Sequence, residues 1–254
     1  YKFAVKTTNV TALMLGKLKV PNQGTAEYTV TIDGQVLKTK PDRLKPIMLR
    51  KFGDKWDVVP SLTMNSLVKL PGLQGPIDDA FLDRFLFVKP TGKPMNAAVG
   101  QWVEREMNDA ILQWHRQFRG RAPTIKDIHL TRNDLRQNLI LWGDPESNSV
   151  IARVIDQLPL TWSKITLQLG QAEAKSATHS PVLIFPNPLN PKRYIVLNSG
   201  FTFSRFGHSS NATQTPKLPD WALVDMRRPY NAGNPDCIAA AGFFNERWQV
   251  TKAE

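Results

Sequence analysis

Two almost uninterrupted apolar runs, Pro181 to Phe185 (PVLIF) and Tyr194 to Leu197 (YIVL), constrain the fold more than any other feature of this chain. Neither alternates apolar with polar side chains, so neither suits a strand that keeps one face in water. Both are short and bounded by Pro, Asn and Gly, which predicts strands buried on both faces of a helix-covered sheet. The link between them, PNPLNPKR, has eight residues, whereas a crossover between parallel neighbours needs about a dozen or more. The two strands are therefore expected to pair antiparallel, or else one of them leaves the sheet at the Pro-rich corner.

The remainder of the chain supplies the layers around such a sheet. Up to about Pro60 the pattern is short strands and tight turns, with Asp33-Gly34 and Gly53-Asp54 as hairpin signals. Pro71, Gly72, Gly75 and Pro76 then break every periodicity, which places an expected boundary near residue 75. Beyond it, FLFV (85–88) reads as a strand, and Asn96 as the cap of a helix running to Gly120. The apolar positions of that helix are Val99, Trp102, Val103, Met107, Ala110, Ile111, Trp114 and Phe118. Thr131 with Asp134 resembles a helix-starting pair. The strand NLILW (138–142), the loop GDPESN and a helix carrying Val150, Ile151, Val154, Ile155 and Leu158 follow, and WALVD (221–225) and CIAAAGFF (237–244) read as further buried strands. The expected fold is α/β: a three-layer sandwich on a mixed, mostly parallel sheet over residues 76–254, preceded by a small antiparallel β unit over residues 1–75.

Charge bears on partners rather than on fold. The chain carries 33 Lys and Arg against 22 Asp and Glu, a net of +11, and eleven of the basic residues lie in the first sixty. Such a surface attracts polyanions, an anionic polysaccharide among them. No apolar run reaches the length of a membrane span, and the first residues, YKFAVKTTNV, are unlike a signal peptide, so the chain is expected to start in mature, folded territory. With a single cysteine, Cys237, it has no intrachain disulfide, and that thiol is expected to be buried.

Catalytic patterns are sparse. A GxSxG elbow is absent; Gly207-His208-Ser209-Ser210-Asn211 comes nearest and lacks the second Gly. Ser199, His208 and Asp225 could be combined into a triad only by choosing common residues at will. The four histidines stand apart without HxH or HExxH spacing, and there is no Walker loop and no GxGxxG, so no metal, nucleotide or other cofactor is expected. Trp114 to Arg121 (WHRQFRGR) interleaves aromatics with cations, but Trp114 and Phe118 continue the apolar stripe of the helix, so core packing is the reading preferred over nucleic-acid binding. The loop Gly143 to Asn148 falls where an α/β sheet binds ligands, at a strand's carboxyl end before a helix. Its two acids favour a neutral or cationic ligand over a phosphate. The candidate ligand-binding residues are accordingly Asp144, Asn148, Asn187, Asn198, Ser199 and His208, and no catalytic residue is assigned.

The wording of several segments is informative as well. LQGPIDDAFLDRFLFVKPTGKPMN, WHRQFRG, NLILWGDPESNSVIARV, HSPVLIFPNPLNPKRYIVLNSGFTF, and LPDWALVD followed by AAAGFFNERW resemble the region that follows the catalytic domain in large bacterial hydrolases of the prolyl-oligopeptidase-like α/β-hydrolase group, of the kind found in planctomycetes. The resemblance extends over nearly the whole chain, including VKTTNVTALML near its start. In those proteins the nucleophile and catalytic histidine lie upstream, so the resemblance transfers no catalytic residue to this chain. It implies an exported protein, secreted or periplasmic, whose partner is an upstream hydrolase domain. Two functions are expected from this reading: a non-catalytic accessory region that packs on a serine hydrolase and contacts polymeric substrate through its basic face, or an independent glycan- or small-ligand-binding α/β module.

Overall fold

Both hairpin signals near the start are realised, and Asp33, Gly34 and Gly53 take up the positive φ angles (50°, 86° and 59°) that such turns demand. The structure, a computed structural model, describes residues 2–16, 27–40, 46–61, 67–202, 217–228 and 235–250. The chain divides into two compact units, residues 1–65 and 66–254.

The first unit contains β1 (Lys2–Val5), β2 (Ala12–Leu15), β3 (Tyr28–Ile32), β4 (Gln35–Thr39), β5 (Ile47–Phe52) and β6 (Lys55–Val59). They form two three-stranded sheets, β1-β3-β4 and β2-β5-β6. All pairings are antiparallel but one: β1 runs parallel to β3, because the chain makes a long excursion through β2 before it returns. Alternate residues of β3 point inward, and Tyr28, Val30 and Ile32 share a core with Ile47, Leu49 and Trp56. Asp33 fastens the unit at its hairpin. Its carboxylate accepts hydrogen bonds from the Thr7 hydroxyl (2.5 Å), the Thr7 amide (2.6 Å) and the Trp56 indole N–H (3.0 Å), and these bonds, the Thr7 hydroxyl foremost, hold the acid below its usual range.

The break at Pro71 to Pro76 lies within the second unit. Lys69 reaches the buried carboxylate of Asp220 at 2.5 Å, and the Gly75 amide donates to the Tyr194 hydroxyl at 3.2 Å. The second unit continues with β7 (Phe85–Lys89), helix α1 (Ala97–Phe118), β8 (Thr124–Lys126), β9 (Asn138–Leu141), helix α2 (Ser149–Val154), β10 (Thr161–Trp162), β11 (Thr166–Leu169), β12 (Ala172–Lys175), β13 (His179–Asn187), β14 (Asn190–Leu197), β15 (Trp221–Asp225) and β16 (Ile238–Gly242). Seven of these strands build one mixed sheet in the order β16-β15-β13-β14-β9-β7-β8, while β10, β11 and β12 form a small antiparallel sheet of their own. Five strands of the large sheet point the same way, and β13 and β16 oppose them. The result is a layered α/β sandwich on a mixed, mostly parallel sheet.

The opening apolar pair sits at the centre of this sheet, and it is antiparallel. β13 and β14 extend well beyond PVLIF and YIVL, absorb most of the Pro-rich link, and leave Pro188 and Leu189 as the turn. A register shift at Pro186/Asn187 accommodates the prolines, which cannot donate to the ladder. On one side β14 pairs with β9, whose residues Leu139, Ile140 and Leu141 are wholly buried; full burial of such a side chain contributes roughly 1.5–3 kcal/mol. CIAAAGFF departs from expectation: among the described residues β16 is an edge strand whose residues alternate between half-buried and exposed, although Cys237 just before it is buried.

Helix α1 matches its expected stripe. Val99, Trp102, Val103, Met107 and Ala110 are buried, Trp114 packs edge-on against Phe85 (4.5 Å between centroids), and Phe118 covers Trp114 from the rim. Arg119 closes the helix in the left-handed region (φ 59°). The Thr131–Asp134 pair does bond as a cap, with the Thr131 amide and hydroxyl both donating to Asp134, but it starts only the single turn Asp134–Arg136, because Asn138 already belongs to β9. Among the described residues no helix is long and apolar enough to cross a membrane.

Candidate functional site

Strand order reverses between β7 and β9. The chain leaves β7 through α1 for its neighbour β8, whereas it leaves β9 through α2 and the small sheet for β13 and β14 on the other side. In open α/β sheets, ligand sites favour the carboxyl ends of the strands at such a reversal. A cleft of about 820 Å³ occupies this position, within the range of small-ligand sites. Its walls come from the end of β7 and the loop after it (Lys89 to Met95), the first turns of α1, the end of β8 at Lys126, the β9 loop and Lys164.

Local bonding holds the walls in register. The amides of Thr91 and Gly92 donate to the Ser147 carbonyl (3.1 and 2.8 Å), which clamps the β7 loop to the β9 loop. At Gly92 a side chain has no room, since a Cβ would lie 2.5 Å from the Glu146 carbonyl oxygen. Asp127, at the end of β8, accepts from the Thr91 hydroxyl (2.7 Å) and from the Ser149 amide at the start of α2 (2.7 Å), so one carboxylate ties three segments of the rim together. Burial pushes this acid up, but the bonds from Ser149 and Thr91 outweigh it and leave the acid below its ordinary range. A lowered folded pKa means stability that is present above the unfolded value, near 4, and lost as pH falls through the folded one. In an acid titration followed by fluorescence, Asp127→Asn should therefore flatten the loss of stability below about pH 4 that the parent chain shows.

The residues expected to bind a ligand are for the most part braces. Asp144 is wholly buried, and its carboxylate accepts from the amides of Met95 (3.0 Å), Glu146 (3.0 Å) and Ser147 (2.9 Å). Asn148 caps α2 by accepting from the Val150 and Ile151 amides, and its amide group donates to the carbonyls of Trp142 and Val88. Asn198 accepts from the Gly143 amide (2.8 Å) and donates to the Gly143 carbonyl (2.9 Å), joining the ends of β14 and β9. The Ser199 hydroxyl is buried and donates to the Gly200 carbonyl. Asn187 is at the opposite end of the sheet, since β13 runs against β14 and finishes beside Asn190; its side-chain amide nitrogen is buried with no partner among the described residues. His208 lies outside the described residues. Of the five that the structure describes, Asp144 alone lines the cleft.

Nor does a triad form among the described residues. Ser199 is committed to a backbone carbonyl, and Asp225 is held by Arg227 through two side-chain bonds of 2.9 and 2.8 Å that keep its acid far below the usual range. No group of three or more His, Cys, Asp or Glu residues among the described residues could hold a metal ion.

The reading of the sequence missed the lysines. Lys89, Lys93, Lys126 and Lys164 all line the cleft. A signal existed for the first two, because KPTGKP directly follows a strand and precedes a helix start. Lys126 and Lys164 arrive from distant segments and carried none. Glu146, one of the two loop acids expected to repel a phosphate, is exposed and lies off the cleft, and the other, Asp144, is surrounded by amide donors.

The site is thus an open cleft at a point where strand order reverses, with a charged rim. No protein-family model, no curated protein and no solved structure matches the chain at a significant level.

Proposed function

We propose that residues 66–254 form a non-catalytic, ligand-binding α/β module that serves as an accessory region to a secreted serine hydrolase. The observation that carries the binding half is the cleft at the carboxyl ends of β7, β8 and β9, built from four stretches distant in sequence and rimmed by lysines. The accessory half rests on the wording shared with the region downstream of prolyl-oligopeptidase-like catalytic domains. In this reading the upstream catalytic domain is the partner, the protein acts outside the cytoplasm, and the basic surface, net +11 over the chain, faces an anionic polymer such as a polysaccharide.

Two measurements test the halves separately. The isolated chain is expected to leave p-nitrophenyl esters intact and to take up no fluorophosphonate label; labelling of any serine would overturn the non-catalytic reading. A thermal-shift panel of small anions and of neutral and anionic glycans should contain at least one stabilising compound, since a ligand that binds only the native state raises the melting temperature. A chain independent of any hydrolase is favoured if it binds such a compound yet fails to associate with a prolyl-oligopeptidase-like catalytic domain.

A further inference from the structure

The cleft has two chemically different parts. Its floor is apolar: Val99, Val103 and Met107, spaced one helical turn apart along α1, join Met95, and all four are buried. Its rim is cationic, with Lys89 at the end of β7, Lys93 in the following loop, Lys126 at the end of β8 and Lys164 between β10 and β11. Among the described residues none of the four makes an ion pair. Only two acids line the same space, Glu104 and Asp144, and Asp144 is already occupied by three amides. Four like charges converging on a concavity raise the local potential, and an anion bound there relieves it.

The start of α1 adds to this field. Helix α1 has 22 residues, no acid in its first turn and no side-chain cap, because the Asn96 side chain donates instead to the Lys164 carbonyl (3.1 Å). Its positive end is left for whatever occupies the cleft.

We propose that the cleft binds an organic phosphate monoester with an apolar body, the phosphate held by Lys89, Lys93, Lys126 and Lys164 and the body seated on the Met–Val floor. Charge selects the phosphate. Four lysines against two carboxylates leave an excess of two positive charges, which a monoester with about −1.5 to −2 at neutral pH offsets and a monocarboxylate does not. The floor selects the body: among the described residues no aromatic ring lines the cleft, so they offer a sugar face nothing to stack on, while an aryl or alkyl group finds buried Val and Met. The inference rests on the ligand-binding half of the proposed function and specifies its ligand.

Calorimetric titration of the full chain with 1-naphthyl phosphate, 1-naphthol and inorganic phosphate tests it. Naphthyl phosphate should bind at least about tenfold more tightly than either fragment, and its affinity should fall as salt is raised from 50 to 500 mM. Lys126 and Lys164 are exposed, so Lys126→Ala and Lys164→Ala leave the fold intact; each should weaken naphthyl phosphate by about two- to five-fold and leave naphthol unchanged. Naphthol binding as well as its phosphate, or a Lys126→Ala/Lys164→Ala double variant binding like the parent, overturns the inference while the module reading stands. Failure of all three probes overturns it too, and a blank glycan panel alongside would remove the module reading as well.

Discussion

Replacing Asp144 by Ala is expected to cost about 3–5 kcal/mol of stability, because three amides lose a buried carboxylate acceptor. The Met95, Glu146 and Ser147 amides belong to the two loops that frame the cleft, so the same change should also loosen the cleft. Urea unfolding followed by tryptophan fluorescence reads the effect, and Trp142, two residues away and fully buried, is a local reporter. Asp144→Asn separates two explanations. It can keep one oxygen for Glu146 and Ser147 but turns an NH2 group toward the Met95 amide, so it should fall between the parent and Asp144→Ala. An Asp144→Ala chain that unfolds at the parent's urea concentration would show that the carboxylate is no brace and would restore the ligand-contacting role that the sequence suggested.

The second large effect is expected at Asn198, where Ala should cost about 2–4 kcal/mol. The side chain satisfies both polar groups of the Gly143 peptide, donates further to the Ser180 hydroxyl (3.3 Å), and sits on a backbone with φ of 50°. Asn tolerates that left-handed conformation better than Ala does, so Asn198→Ala loses the bonds and adds strain of about 1 kcal/mol. Asn198→Gly loses the bonds without the strain and should be the milder change by about that amount. Asn198→Asp keeps the shape but removes the donors to the Gly143 carbonyl and Ser180. Thermal unfolding of the three variants should therefore rank Gly above Ala and place Asp well below the parent; equal midpoints would mean that the β14–β9 junction is held by the ladder alone.

These two residues also show what a sequence pattern leaves open. Asp144, Asn148 and Asn198 were legible as special because polar residues ended apolar strands, and their position at the carboxyl edge of the sheet was inferred correctly. Polar residues at strand ends have two uses, however: to meet a ligand or to satisfy the backbone where the ladder stops. Here the side chains of Asp144 and Asn198 serve the second use, accepting from the amides of Met95, Ser147 and Gly143. Asn187 lies apart from the other candidates. The short link correctly implied that β13 opposes β14, and the same reversal carries the end of β13 to the far side of the sheet. The lysine rim was the reverse case, chemically plain but topologically hidden, because Lys126 and Lys164 meet Lys89 only after α1, α2 and the small sheet have folded back.

What the sequence determined by itself is local in origin. Apolar runs without alternation pointed to strands buried on two faces, an eight-residue link excluded a parallel neighbouring pair, a stripe at helical spacing pointed to α1, and Asp33-Gly34 and Gly53-Asp54 to hairpins, each because backbone geometry limits what those residues can do within a few positions. The tertiary structure decided the strand order, the parallel pairing of β1 with β3, the edge position of β16 and the convergence of four lysines on one cleft. Each of these depends on contacts between segments tens of residues apart, whose partners are chosen by packing and burial over the whole unit rather than by any pattern along the chain.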